Sequence, residues 1–182
     1  VTPTDTQAPA QVNPVAGRTL RDVCGLFVTG VTVITSGTEE AAAGTTVNSF
    51  TSVSLDPPLV LFCLHNDSRL RAVVESTGAY AVNFLSGRQE KLARAFAGKS
   101  TAAITDVAHH ASVTGVPVLS EALAFLSCRL VNAFDGGDHT IFVGEVVELG
   151  VPRQSQEPLI FFRGFLGSLE EEPHGVDPVF DG

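Results

Sequence analysis

The sequence predicts a mainly β fold whose strands close, or nearly close, into a barrel with a few helices attached. Three observations carry this. Segments with strand chemistry outnumber those with helical periodicity. Short turn signals separate several of them. One long run, Gly44 to Pro58, is dominated by β-branched and aromatic residues and ends at two prolines. Closure is the economical arrangement for so many strands, because it leaves no exposed edge.

Along the chain, residues 1 to 16 are rich in Thr, Pro, Ala and Gln without periodicity and read as a mobile arm. A helix is expected from about Thr19 to Phe27, with Leu20, Val23, Cys24 and Phe27 on one stripe, then a short strand at Val31 to Thr35. The Gly44 to Pro58 run follows as one strand. Leu59 to Leu64 is continuously apolar and reads as a strand buried on both faces. A helix opens at Asn66-Asp67-Ser68 with the stripe Leu70, Val73 and Val74, and a strand follows at Tyr80 to Leu85. Ser86 and Gln89 have capping-box spacing and start a helix through about Ala97. Residues 98 to 120 show no clean period and read as a loop carrying His109 and His110. Strands are expected at Ala124 to Phe134, Thr140 to Leu149 and Leu159 to Arg163. The body thus spans residues 17–168, and the acidic segment 169–182 reads as a disordered tail.

The Gly44 to Pro58 run is also chemically unusual. One alternate set, Thr46, Asn48, Phe50, Ser52 and Ser54, consists mostly of small uncharged donors and acceptors. Such a strand lets a flat polar ligand approach the backbone; a solvent-facing sheet surface has the same composition.

Composition narrows the function classes. The chain has 182 residues, 44% hydrophobic and 17% charged, enough to bury one core. A net charge of -9 argues against nucleic acid, which needs clustered Lys and Arg. Part of that acidity lies in Glu170, Glu171, Glu172, Asp177 and Asp181. No apolar run is long enough for a bilayer, and no signal-peptide layout opens the chain, so no membrane role is expected. Cys24, Cys63 and Cys128 lack metal or disulfide spacing and read as buried free thiols in a reducing cytoplasm.

No Gly-x-Ser-x-Gly elbow, metal cluster or Gly-x-Gly-x-x-Gly fingerprint is present. A catalyst built on this chain would therefore take its chemistry from an organic cofactor. Three features suit a planar anionic one. Ser68 is an N-cap candidate followed by Arg69 and Arg71, where helix stability favours Asp or Glu; an anion site and a solvated basic turn both fit. Gly136-Gly137-Asp138-His139 forms a tight connection, and His139 is either a ligand-orienting or a structural histidine. Phe161-Phe-Arg-Gly-Phe165 sets rings beside Arg163, suited to nucleotide stacking or to core packing.

Taken in order, these motifs resemble the flavin reductase family with the FMN-binding split-barrel fold, the NAD(P)H-dependent components of two-component flavin monooxygenases. The matching segments are Thr29 to Thr35, Asn48 to Leu59 and Tyr80 to Leu85. Gln89 with Phe96-Ala-Gly98, Gly137-Asp-His139 and Phe162-Arg-Gly-Phe165 complete the set. Phe165 stands where many members have Tyr.

The resemblance implies a split β-barrel that transfers hydride from NADH to a dissociable flavin, FAD or FMN, with NADPH the second choice. It places the flavin ring along Thr46, Val47, Asn48 and Ser49, with Thr32 nearby and Cys63 in the same cofactor site. Ser52, Ser54, Ser68 and Arg69 fall at the ribityl chain and phosphate, and Phe96 and Lys99 close over the flavin or its adenylate. Gly137, Asp138 and His139 face the nicotinamide, His139 as the catalytic residue, with Arg163 and Phe165 completing the NADH contacts. A homodimer and a separate oxygenase served by diffusing reduced flavin are implied as well. A tightly bound FMN carrier or oxidase, and a non-catalytic flavin binder, are the alternatives on the same fold.

Overall fold

A computed structural model of the protein describes residues 14–38, 41–98, 102–152 and 156–169. Its centre is one sheet of seven strands. In chain order these are β2 (Thr32–Ser36), β3 (Ala43–Val47), β4 (Thr51–Leu55), β5 (Pro58–His65), β6 (Ala79–Phe84), β9 (Ala124–Gly136) and β10 (His139–Gly150). All pairings are antiparallel, in the spatial order β3-β2-β6-β9-β10-β5-β4. The two edge strands are consecutive in the chain. Residues 43–47 pair with β2, residues 51–55 pair with β5, and Asn48, Ser49 and Phe50 carry the chain from one neighbour to the other. That handover curls the sheet into a barrel whose ladder stays open at these three residues, which is the split barrel. The single strand expected from Gly44 to Pro58 is therefore two. Alternation of side chains reports the pleat and says nothing about which strand lies alongside.

The barrel interior is aromatic. The Phe62 ring meets Tyr80 edge-on at 4.7 Å and stacks with Phe142 at 5.2 Å, and all three are fully buried. Among the described residues the Tyr80 phenol oxygen has no hydrogen-bond partner of good geometry; the Cys128 thiol, a weak partner, faces it from the register-opposite position. Burial pushes the Cys128 thiol up to about 12 and the phenol higher still, so both stay neutral. Gly144 makes room for this phenol: a Cβ there would overlap Tyr80 Oη and its ring.

Strand β5 alternates, which corrects the expectation of burial on both faces. Val60, Phe62 and Leu64 point into the core, whereas Leu59, Leu61 and Cys63 are half-buried and His65 is exposed. Helix α2 (Arg69–Thr77) lays Leu70 and Val74 on that core as its stripe predicts. Gly78 ends it in the left-handed conformation at φ 68°, where glycine carries no Cβ penalty.

A second apolar cluster, with Val31, Val33, Leu85, Phe96, Ile104 and Leu159, lies under α3 (Glu90–Ala95). The Ser86–Gln89 capping box forms, opening a 3-10 turn that leads into α3. The expected loop over 98–120 is partly ordered structure: a 3-10 turn at Ile104–Asp106 and a two-stranded ribbon, β7 (His109–Ala111) with β8 (Pro117–Leu119). Three-residue strands are too short to show a period.

The remaining strands form a small sheet of β1 (Thr29–Gly30), β11 (Leu159–Phe162) and β12 (Phe165–Ser168). The hairpin β11–β12 replaces the single strand expected to Arg163. Its two central residues, Arg163 at φ 51° and Gly164 at φ 85°, give the positive-φ turn that matches strand twist.

Helix α1 (Gly17–Cys24) is shorter than expected and buries none of its residues: Leu20, Val23 and Cys24 are exposed, as is Phe27 beyond its end. The expectation of three buried thiols thus holds for Cys128 alone, with Cys63 intermediate. None of the helices among the described residues is long and apolar enough to cross a membrane.

The Tyr80–Gly144 contact yields a stability prediction. Gly144→Ala should lower unfolding free energy by about 1–3 kcal/mol through overpacking, read from urea denaturation at unchanged slope. A variant as stable as the parent would show that the phenol has room to move.

Candidate active site

The handover at Asn48–Phe50 is the first element of the site. These residues lie outside both ladders, and their main-chain N–H and C=O groups have no hydrogen-bond partner among the described residues. Asn48 is exposed and Ser49 and Phe50 are half-buried, so these unpaired backbone groups need an outside partner, water or ligand. The side chains instead fix the bend. Ser49 Oγ donates to Cys63 O at 3.1 Å and accepts from Cys63 N at 3.0 Å, taking the place of a ladder pair. Thr32 Oγ1 donates to Val47 O at 3.1 Å, and Asn48 Nδ2 donates to Thr29 Oγ1 at 3.2 Å.

Beside this bend lies a cavity of about 430 Å³, walled by Phe27, Phe50, Phe84, Leu123 and Pro158 and bordered by Thr32 and Asn48. Apolar walls with free main-chain amides along one side suit a flat molecule that has an apolar body and a polar edge. Cys63 sits in the same strip. Burial raises its thiol above the ordinary value, so it stands as a neutral, small side chain there.

The second element is the start of α2. Ser68 occupies the N-cap position in extended conformation, but its hydroxyl makes no capping bond, which corrects the reading of Ser68 as a side-chain cap. Arg71 Nε is bound to Glu75 Oε1 at 3.0 Å, so the expected arginine pair is split. Arg69 is exposed, and no partner for it occurs among the described residues. An uncommitted hydroxyl and guanidinium at a helix N-terminus can receive an anion.

The third element is the turn between β9 and β10. Gly137 takes φ 79°, and His139 pairs in register with His65 at the end of β5. The two imidazoles meet edge-on at 5.3 Å. His139 Nδ1 lies 2.7 Å from Asp138 Oδ1. Because a carboxylate accepts, Nδ1 carries the proton and Nε2 is left for a ligand. The hydrogen bond from His139, reinforced by its charge, holds the Asp138 carboxyl below its ordinary value of 3.8.

The chain joins the second and third elements through Asn66 and the first and second through β5, from Cys63 at Ser49 to His65 and on to Ser68. Other expected residues are placed differently. Thr46 Oγ1 donates to Ala93 O at 2.7 Å and its N–H to Phe96 O, tying β3 to α3. Phe96 is buried to 2% exposure in the second core cluster, which corrects the expectation that its ring closes over a ligand. Ser52 is exposed and Ser54 half-buried on β4, on either side of a register shift. Lys99 lies outside the described residues. Arg163 and Phe165 border a separate cavity of about 380 Å³ with Ile160, Phe162 and Gly167. Arg163 stacks 5.2 Å over Phe162 and its N–H donates to Gly25 O, and no contact among the described residues links them to the His139 turn. Sequence reasoning missed His65 and Asn66. The signal that would have found them is the β5–β10 register, which brings the end of one strand to the start of the other.

Comparison with known proteins identifies relatives of the chain as a whole. Residues 24–170 match the model of the "Flavin reductase like domain". The reductase subunit HsaB of a flavin-dependent monooxygenase from Mycobacterium tuberculosis is 37% identical over 90% of this chain and 86% of its own length. An NADH-dependent flavin reductase from Rhodococcus is 39% identical, covering 86% of this chain and 90% of its own. Among solved structures, the Streptomyces globisporus NADH:FAD oxidoreductase SgcE6 in complex with NAD and FAD fragments superposes with a TM-score of 0.82 at 37% identity, over 91% of this chain and all of that one.

The Asp138–His139 pair sets a pH signature. A carboxyl depressed on folding contributes stability above its unfolded-state value, and loses it as pH falls through the folded one. Carbon-detected NMR should show Asp138 titrating below 3.8 in the parent and moving up toward that value in His139→Ala. Identical titrations in the two proteins would contradict the pairing.

Proposed function

The chain belongs to the flavin reductase family, and from that premise we propose how its own residues serve the reaction. The protein is an NADH-dependent flavin reductase that supplies reduced flavin to a separate monooxygenase component. The flavin, FAD or FMN, supplies the ring that accepts the hydride. The rest of the work is binding and orientation.

The free main-chain groups of Asn48, Ser49 and Phe50 receive the polar edge of the flavin ring, where negative charge grows during reduction. This is the observation that carries the assignment of the site, because none of the described residues satisfies those groups. Thr32, Val47 and the Ser49–Cys63 bridge hold the bend rigid, so the donors are set before the ligand arrives. The apolar cavity wall keeps water from the ring. Ser68, Arg69 and the α2 N-terminus take the first phosphate, with Ser52 and Ser54 along the ribityl chain. His139, oriented by Asp138, offers Nε2 to the nicotinamide carboxamide and positions the dinucleotide. No residue has to exchange a proton at the moment of hydride transfer.

A homodimer fits the surface. Leu59, Leu61 and Cys63 of β5 with Ile141 and Val143 of β10 make an apolar outer face that is half-exposed, and Leu55 beside it is 87% exposed. A second copy would cover it. The three unpaired thiols suit a reducing cytoplasm.

The test of the function is an NADH-oxidation assay with FAD, FMN and riboflavin supplied in turn. Loss of the near-ultraviolet NADH absorbance should depend on added flavin; a protein that purifies yellow and leaves NADH untouched would contradict turnover. Arg69→Ala should weaken FMN binding about 3- to 10-fold at this exposed site and leave riboflavin unchanged. Equal loss for both ligands would remove Arg69 from the phosphate. His139→Ala should raise KM for NADH about tenfold with KM for flavin within about twofold. An equal rise in both would place His139 elsewhere.

A further inference from the structure

The β9–β10 hairpin projects from the barrel, with residues 131–138 all exposed. On the β5 side its ladder ends at the His139–His65 pair, so the Gly137–Asp138 turn has no strand beside it. A glycine turn at the tip of an exposed hairpin is the sort of element that opens locally. Three hydrogen bonds from one residue hold it. Asn66 Nδ2 donates to Gly137 O at 2.8 Å, Asn66 N donates to Asp138 O at 3.0 Å, and Thr140 Oγ1 donates to Asn66 Oδ1 at 2.9 Å. Asn66 thereby continues the β5 edge past its last ladder pair, with its main-chain N–H and its side-chain amide together, as the chain turns toward α2.

The residue type is specific to the task. The amide must donate to a carbonyl and accept from a hydroxyl at the same time. Asp lacks the donor, and Ala or Leu lack both. Thr140, the acceptor's partner, is 6% exposed, so its hydroxyl has little water to turn to.

We infer that Asn66 is a positioning residue that holds the turn carrying His139 at a fixed distance from the Ser68–Arg69 start of α2. The inference rests on the reading that His139 addresses NADH and Ser68–Arg69 the flavin phosphate. It adds that the two ligand ends are set by one clamp. Asn66 touches neither ligand; it acts through the turn, and it should bear on NADH more than on flavin.

The experiment uses the full chain. In the ligand-free protein, hydrogen exchange of the peptide covering residues 136–140 should speed up about tenfold in Asn66→Ala, with the barrel strands unchanged. In steady state, Asn66→Ala should raise KM for NADH about 5- to 10-fold, with kcat and KM for riboflavin within about twofold. Added to His139→Ala it should cause no further rise, because both act on one contact. Should Asn66→Ala fail to fold, Thr140→Val removes one of the three bonds and should give the same pattern at about two- to threefold. Unchanged exchange and unchanged KM in Asn66→Ala, with KM still raised in His139→Ala, would overturn the clamp and leave the NADH reading standing. Unchanged KM for NADH in His139→Ala would bring down the NADH reading and the clamp with it.

Discussion

The structure depends on a strand that changes neighbours. Residues 43–55 border both edges of the sheet, and three residues in the middle belong to neither ladder. A closed ladder would satisfy every main-chain group and leave no opening. By handing over from β2 to β5, the chain completes the barrel and at the same point exposes a short row of oriented donors and acceptors. Their cost in the free protein is kept down by the Ser49 hydroxyl, which bridges to Cys63 and fixes the bend.

From that bend the other parts of the site follow by register. Strand β5 leads from Cys63 to His65, then into Asn66 and the start of α2. Its ladder with β10 brings His139 opposite His65. Everything chemical hangs from a core of Phe62, Tyr80 and Phe142 that allows little movement, Gly144 having given up its side chain to fit the phenol. A reductase that transfers hydride between two bound molecules needs this more than it needs an acid or a base. It must hold two planar groups at contact distance, and a stiff wall with preset donors does that.

The sequence was most legible where chemistry is local. The Ser86–Gln89 capping box, the Gly137–Asp138 turn and the stripe of α2 depend on residues a few positions apart, and each stands where expected. The small hydroxyl and amide residues around Asn48 suggested the ligand surface proposed above, although they gave no sign of the break. Errors came where partners are distant. Leu59 to Leu64 looks buried on both faces because its outer side chains are apolar, yet that face is half-open in one chain. Phe96 follows α3 in sequence, where the resemblance implied a ring closing over the flavin, and turns into the core in space. The stripe of α1 is apolar, yet Leu20, Val23, Cys24 and Phe27 are all left exposed among the described residues. His65 and Asn66 acquire meaning from the β5–β10 pairing alone, which no spacing along the chain encodes.

Amide NMR of Asn48, Ser49 and Phe50 during titration with riboflavin tests the central claim most directly, since riboflavin carries the ring without a phosphate. These three cross-peaks should shift together and saturate at one ligand per chain, ahead of peaks from α2. If they hold still while amides elsewhere move, the open stretch of backbone is not where the ring is received.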